Sequence, residues 1–272
     1  MALSRAWGVL CIVLTVRCGD PTAIAAEPVE GELDAAVERY LTKNPDKLGK
    51  AIEGYLKAHP EVIRAEVDAE LRRRAAAKTA EDAVRRQAAD AKAREALERN
   101  RTVIVSSPHQ ITINPAGTRT LVAFTDYNCG FCRRALADLL QLMKDDASLR
   151  VVIKELPVLG PRSREAAEAA VAARLQDADG ARMPALHRRL MEEKAAGDRA
   201  RVLVIAGELG FDTARIEKDL ASDGVRAALD ETARLAGELG IRGTPSYVIG
   251  NEVVRGAAGL AVLREKLTAA AR

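Results

Sequence analysis

Apolar positions change their spacing twice along this chain, and each change marks a different kind of structure. From about residue 30 to 101 nearly every residue is a helix former, and Ile63, Val67 and Leu71 recur at helical spacing. A repeat of fifteen residues runs through the start of this region. Tyr40-Leu41 followed by Asn44-Pro45-Asp46 matches Tyr55-Leu56 followed by His59-Pro60-Glu61, with Leu48 and Ile63 in equivalent places. Asn44 suits an N-cap and Pro45 a first helical position, so each repeat is predicted to open a helix, the second running from about residue 60 to 100. Beyond Leu71 the apolar positions are mostly alanine. A helix so long, thin and charged buries little within one chain. It is either a solvated linker or a self-association arm, and Tyr40, Leu41, Tyr55, Leu56 and Ile63 favour the arm because they need covering.

After Asn100 the period shortens. Val103-Ile104-Val105 and Ile111-Thr112-Ile113 read as short β-type runs, and residues 121–125 as a further strand. Residues 131–144 return to helical spacing through Leu136, Leu139, Leu140 and Met143, and residues 150–156 form a buried strand around Val151, Val152 and Ile153. This is a βαβ unit. Residues 161–240 read as helices alone, punctuated by Gly180, Gly197, Gly210 and Gly224. Residues 246–250 and 252–255 form a hairpin turning at Gly250-Asn251, and a helix over 260–270 closes the chain. The fold class is α/β: one catalytic domain over 102–272 with a helical insertion at about 161–240, preceded by a helical, self-associating arm over 27–101.

The first residues read as an export signal. Arg5 supplies positive charge, residues 7–16 an apolar run, and Ala23-Ile24-Ala25-Ala26 a small-residue cleavage site. The run is too short to cross a bilayer, which takes about 20 residues. Arg17 before Cys18 does not suit lipid attachment. Residues 1–26 are therefore predicted to be removed, leaving a soluble protein outside the cytoplasm. The net charge of +3 over 272 residues points to neither nucleic acid nor an acidic polymer.

Losing the signal reduces four cysteines to two, Cys129 and Cys132, spaced Cys-x-x-Cys. An exported chain whose only thiols are two apart is using them for chemistry rather than for stapling. Such a pair can be a redox centre, half of a metal site or an accident of packing. The strand before it and the helix after it set Cys129 at a helix N-terminus, where free N–H groups and the helix dipole favour a thiolate. Cys129 would attack, and Cys132, one turn on, would resolve the mixed disulfide. Zinc needs more ligands than His59, His109 and His187 could add. Two thiolates can hold a cuprous ion, so a protective copper-binding protein is the rival of a different class.

The segment Phe124-Thr125-Asp126-Tyr127-Asn128-Cys129-Gly130-Phe131-Cys132-Arg133-Arg134 resembles the active site of the DsbA-like thioredoxin-fold family. Gly243-Thr244-Pro245-Ser246-Tyr247-Val248-Ile249-Gly250 resembles its cis-proline loop, and Lys154-Glu155-Leu156-Pro157-Val158-Leu159-Gly160 the segment after its second strand. The resemblance covers roughly residues 103–272. The arm is similar in composition to the oligomerising arms of the ScsC-like branch. The resemblance implies a cis Pro245 that brings the Thr244 backbone beside the active-site sulfur, where an extended substrate could pair. It implies a periplasmic thiol–disulfide exchange enzyme acting on unfolded or misfolded exported proteins, without a bound cofactor, serviced by a membrane redox partner and self-associating through the arm.

One departure stands out. Many relatives carry a buried acid six residues before the first cysteine, where this chain has Ala123. Asp126 or Glu155 could serve instead, or be solvated or capping groups. Gly130-Phe131 brings no histidine to the thiolate, so backbone and dipole must acidify Cys129, to a lesser degree than in the strongest oxidants. Gly-Phe, with Thr before the proline, resembles disulfide isomerases more than dedicated oxidases, and the reading leans to an isomerase or reductase with the oxidase as the alternative.

Overall fold

A computed structural model describes residues 29–108, 110–193 and 197–270. The predicted export signal, with Cys11 and Cys18, and His109 lie outside them. The chain forms two compact units that meet in sequence at Ala76/Ala77.

The first unit holds α1 (Val29–Lys43), α2 (Pro45–Ala58) and the start of α3 (Pro60–Val105). Pro45 and Pro60 do open helices, as the repeat predicts. Asn44 does not cap α2 with its side chain. Its amide instead donates to Tyr40 O at 2.8 Å, closing the end of α1. No residue of α2 is buried, and Tyr40, Ile52, Tyr55, Ile63 and Leu71 all stand exposed.

The second unit is built on a five-stranded sheet, in the order β1 (Ile111–Ile113), β3 (Leu149–Glu155), β2 (Arg119–Thr125), β4 (Ser246–Ile249), β5 (Glu252–Arg255). β2 and β3 are parallel, pairing Leu121 with Val151 and Ala123 with Ile153; the other pairings are antiparallel. The crossover between the parallel strands is α4 (Gly130–Asp145). α5 (Pro161–Arg174), α6 (Met183–Glu192), α7 (Arg199–Glu208), α8 (Thr213–Asp219) and α9 (Asp223–Glu238) form the insertion before β4, and α10 (Leu260–Ala270) ends the unit. This is the expected thioredoxin-like arrangement. The hairpin turns through Gly250, whose φ of 58° is left-handed and whose missing Cβ would meet Ala270 at 3.0 Å.

Alternation along the central strands sends side chains to two cores. Leu121, Ala123, Val151 and Ile153 pack with Leu136 and Leu139 of α4, Leu186 and Leu190 of α6, and Leu263 of α10. Val122, Phe124 and Val152 pack on the other face with Leu97 and Ile104 of α3 and Leu235 and Leu239 of α9. Covering both faces explains why the strands read as unbroken apolar runs.

The second core also corrects the reading of Val103-Ile104-Val105, which is the last turn of α3 and not a strand. Strand preference in β-branched residues is weak against packing, and Ile104 is 1% exposed, seated beside Leu97, two turns back. The helix end is also held from the sheet. Lys154 Nζ donates to Val103 O at 3.0 Å and Arg150 to Val105 O at 2.8 Å, satisfying carbonyls with no partner inside the helix.

Candidate active site

The turn that carries the cysteines is built by Asp126. Its backbone carbonyl accepts from Cys129 N at 3.0 Å, and its carboxylate accepts from Asn128 N at 2.8 Å. The same carboxylate takes Val158 N at 2.9 Å, Leu159 N at 3.1 Å and the Ser163 hydroxyl at 2.8 Å. With four donors converging on it, buried Asp126 is a structural hub joining the end of β2 to the β3–α5 loop. Asn128 adds a second tie: its amide donates to Gly197 O at 2.8 Å and accepts from Gly197 N at 2.6 Å.

Cys129 is the N-cap residue of α4, and no side-chain bond caps the helix there. Its Sγ lies 3.2 Å from Thr244 O, and the Thr244–Pro245 peptide is cis. Both cysteines are free thiols and nearly covered, at 5% and 4% exposed. The two are nonetheless unequal. Burial pushes the Cys129 thiol up, but Thr244 and the Cys132 and Phe131 backbone favour its anion and bring its pKa below the ordinary thiol value. Burial dominates at Cys132 and pushes it up to about 12, with the neighbouring Cys129 adding to the rise. The Thr244 hydroxyl is buried with no partner in hydrogen-bonding geometry, while lying close enough to both sulfurs to favour their charged forms. Gly130 and Phe131 are both exposed, and Phe131 carries Arg134 stacked over its ring at 4.4 Å.

Glu155 is not part of that cluster. It ends β3, where the Tyr127 hydroxyl donates to it at 3.3 Å and contacts His187 Nδ1 of α6 at 3.4 Å. Burial raises the Glu155 carboxyl to about 7 and depresses His187 to about 4. Tyr127, Asn128, Ser163, Gly197 and His187 were not singled out as site residues from sequence. Tyr127 and Asn128 lay inside the cysteine segment itself. His187 had a weaker signal, a polar residue among Met183, Leu186 and Leu190 on the apolar face of α6.

Two thiols of unequal acidity at a helix N-terminus, facing a cis-proline loop across a βαβ unit, define a thioredoxin-like fold with a dithiol centre. The DSBA-like thioredoxin domain family matches residues 120–268, and the chain belongs to that family. Among solved structures it is similar to a thioredoxin-like oxidoreductase from Silicibacter pomeroyi DSS-3, at 36% identity over 63% of this chain and 98% of that one, with a TM-score of 0.59. It is similar to the thiol–disulfide exchange protein alpha-DsbA2 from Wolbachia pipientis, at 25% identity over 67% of this chain and 97% of that one, TM-score 0.60. Proteus mirabilis ScsC in a transitional conformation matches at 26% identity over 89% of this chain and 96% of that one, TM-score 0.58. No curated protein matches the chain. Among the described residues no helix is long and apolar enough to cross a membrane, and no group of three or more His, Cys, Asp or Glu side chains is arranged to hold a metal ion.

Proposed function

We propose that this member of the DsbA-like thiol–disulfide oxidoreductases shuffles or reduces disulfides of exported proteins in the periplasm, with Cys129 as nucleophile and Cys132 as resolving thiol. The observation that carries the reading is the placement of Cys129 at the start of α4, its Sγ 3.2 Å from Thr244 O beside the cis Pro245, with Cys132 one turn on. Cys129 is the more acidic of the two thiols, while Cys132 holds its proton until a mixed disulfide forms. In that exchange the Cys129 thiolate attacks one sulfur of a substrate disulfide, and the other leaves as a thiolate that takes up a proton. Either a substrate thiolate, after exchange with another substrate disulfide, attacks the mixed disulfide and expels Cys129, or Cys132 gives up its proton and attacks Cys129 Sγ, forming the Cys129–Cys132 disulfide and expelling the substrate sulfur, which takes up that proton. The Thr244 backbone would pair with the extended substrate segment, cis Pro245 fixing its direction.

The isomerase or reductase role is favoured over the dedicated oxidase by the arm. The exposed Tyr40, Ile52, Tyr55, Ile63 and Leu71 of the first unit suit association with further copies of the chain, which would set several dithiols around one substrate. The proposed organisation is a removed signal over residues 1–26, an arm over 27–101 and a catalytic domain over 102–272. Reactivation of scrambled ribonuclease by the reduced protein tests the role. Recovery that falls when Ile52, Tyr55 and Ile63 are changed to Asp supports an arm-dependent isomerase. Absence of recovery, with fast oxidation of reduced ribonuclease by the disulfide form, would assign an oxidase.

A further inference from the structure

Three segments that meet around Asp126 and Cys129 carry exposed apolar and cationic side chains, and three of the cations have no ion pair among the described residues. Phe131, 58% exposed, and Arg134 sit on the first turn of α4, the guanidinium over the ring. Val158 and Leu159, 43% and 56% exposed, are tied through their N–H groups to Asp126, three residues before Cys129. Arg162 is exposed next to Ser163, which holds the same carboxylate, and Arg242 is exposed two residues before Thr244. None of Arg134, Arg162 and Arg242 has a carboxylate at ion-pair distance among the described residues. Other cations on the surface are paired, as Arg73 is with Glu66 and Glu70 and Arg234 with Glu238. The acids of the site loops are already engaged: Asp126 by four donors, Glu193 by Arg201, and Asp198 as the cap of α7.

We infer that the face around Cys129 selects substrate segments in which the reacting cysteine is flanked by acidic and apolar side chains. Resting on the thiol–disulfide exchange reading, this names the substrate class of that site. An apolar side chain next to the cysteine would cover Phe131 and Leu159, while Asp or Glu one or two residues away meets Arg134, Arg162 or Arg242. None of these arginines is in an ion pair among the described residues, so a carboxylate gains an interaction without displacing one. At a solvent-exposed rim such complementarity acts mainly on the rate of productive encounter and on the choice between partners.

The test uses the reduced full chain and three short peptides whose one cysteine is capped as a mixed disulfide with 2-mercaptoethanol. One peptide carries Asp on both sides of a Leu-Cys pair, one Ser and one Lys. The Cys129 thiolate attacks the peptide sulfur and expels 2-mercaptoethanol, and Cys132 then displaces the peptide as a thiol, leaving the Cys129–Cys132 disulfide. The two thiol protons of the protein end on the two released thiolates. Rates are divided by those of dithiothreitol with the same peptides, which removes the effect of the flanks on the sulfur itself. The expected result is a preference for the Asp over the Lys peptide of about tenfold at low ionic strength. It should shrink several-fold at about 1 M salt, where screening acts within about 3 Å. Arg134→Glu with Arg242→Glu should erase or invert the ratio, which is read within each protein and so is insensitive to overall activity. Equal normalised rates for all three peptides, or a preference indifferent to salt, would overturn the inference. No reaction with any peptide would instead overturn the exchange reading beneath it.

Discussion

Cys129 Sγ sits 3.2 Å from the carbonyl oxygen of Thr244, so the first sulfur of the dithiol and the loop before Pro245 meet at one point. The thiol donates to that carbonyl when protonated. The thiolate cannot, and the neighbouring Thr244 hydroxyl, buried and unpartnered, is then able to donate to it alongside the Cys132 and Phe131 N–H groups. Thr244→Val keeps the volume and removes the hydroxyl. The expected outcome is a Cys129 pKa higher than in the native protein, and alkylation by iodoacetamide near neutral pH slowed several-fold. The pH profile of alkylation checks this, and an unshifted midpoint would assign the acidification to the backbone alone.

Asp126 makes the opposite kind of contribution. Its carboxylate accepts from two loops and from the Ser163 hydroxyl, and an amide in its place turns one acceptor into a donor facing N–H groups. Asp126→Asn should destabilise the protein by about 2 kcal/mol, lowering its melting temperature by roughly 4–8 °C for a unit of this size. A proton carrier for Cys132 would behave otherwise: the substitution would slow resolution of the mixed disulfide and leave melting unchanged. Calorimetry beside single-turnover kinetics separates the two.

The buried Glu155–Tyr127–His187 chain predicts a pH dependence of stability. Burial raises Glu155 to about 7, so its contribution is fully present below the ordinary carboxylate pKa and is lost as pH rises through 7. His187, depressed by burial to about 4, works in reverse, its contribution being lost as pH falls through the ordinary histidine range toward 4. In Glu155→Gln only the histidine effect remains. The variant should gain on the native protein as pH rises from about 5 to 8, by an amount on the order of 2 kcal/mol. Urea unfolding at several pH values measures it, and parallel curves would mean that Glu155 ionises as freely folded as unfolded.

Much of this architecture could be read from the residues because each signal came from packing on two faces. Val151, Val152 and Ile153 announced a covered parallel strand, and Leu136, Leu139 and Leu140 the crossover helix beside it. The cysteines and the Thr244–Pro245 loop were equally legible, since their chemistry is local to short segments. Val103-Ile104-Val105 was not, because its conformation is decided by Leu97, Val122 and Phe124 and by Lys154 and Arg150 reaching the helix end. Asn44 does take the N-cap position of α2, but its side chain closes the preceding helix instead of bonding the next, since the same amide can do either. The Asp126 hub and the Asn128–Gly197 pair depend on residues 32 to 69 positions apart, a relation no periodicity encodes.

The arm makes a separate prediction. With Tyr40, Tyr55 and Ile63 exposed, the protein should sediment as a species larger than its 29.2 kDa chain at micromolar concentration. Changing Ile52, Tyr55 and Ile63 to Asp should return it to a monomer. A native protein that sediments as a monomer would make the first unit a solvated extension.

The most direct test of the central claim is to trap the substrate on the proposed nucleophile. Cys132→Ser removes the resolving thiol, so incubation with a disulfide-bearing unfolded protein should accumulate a covalent complex, released by dithiothreitol and mapped by mass spectrometry to Cys129. Cys129→Ser should trap little, because Cys132 holds its proton. Trapping through Cys132 instead, or no complex with either variant, would contradict the assignment of Cys129 as the attacking thiolate.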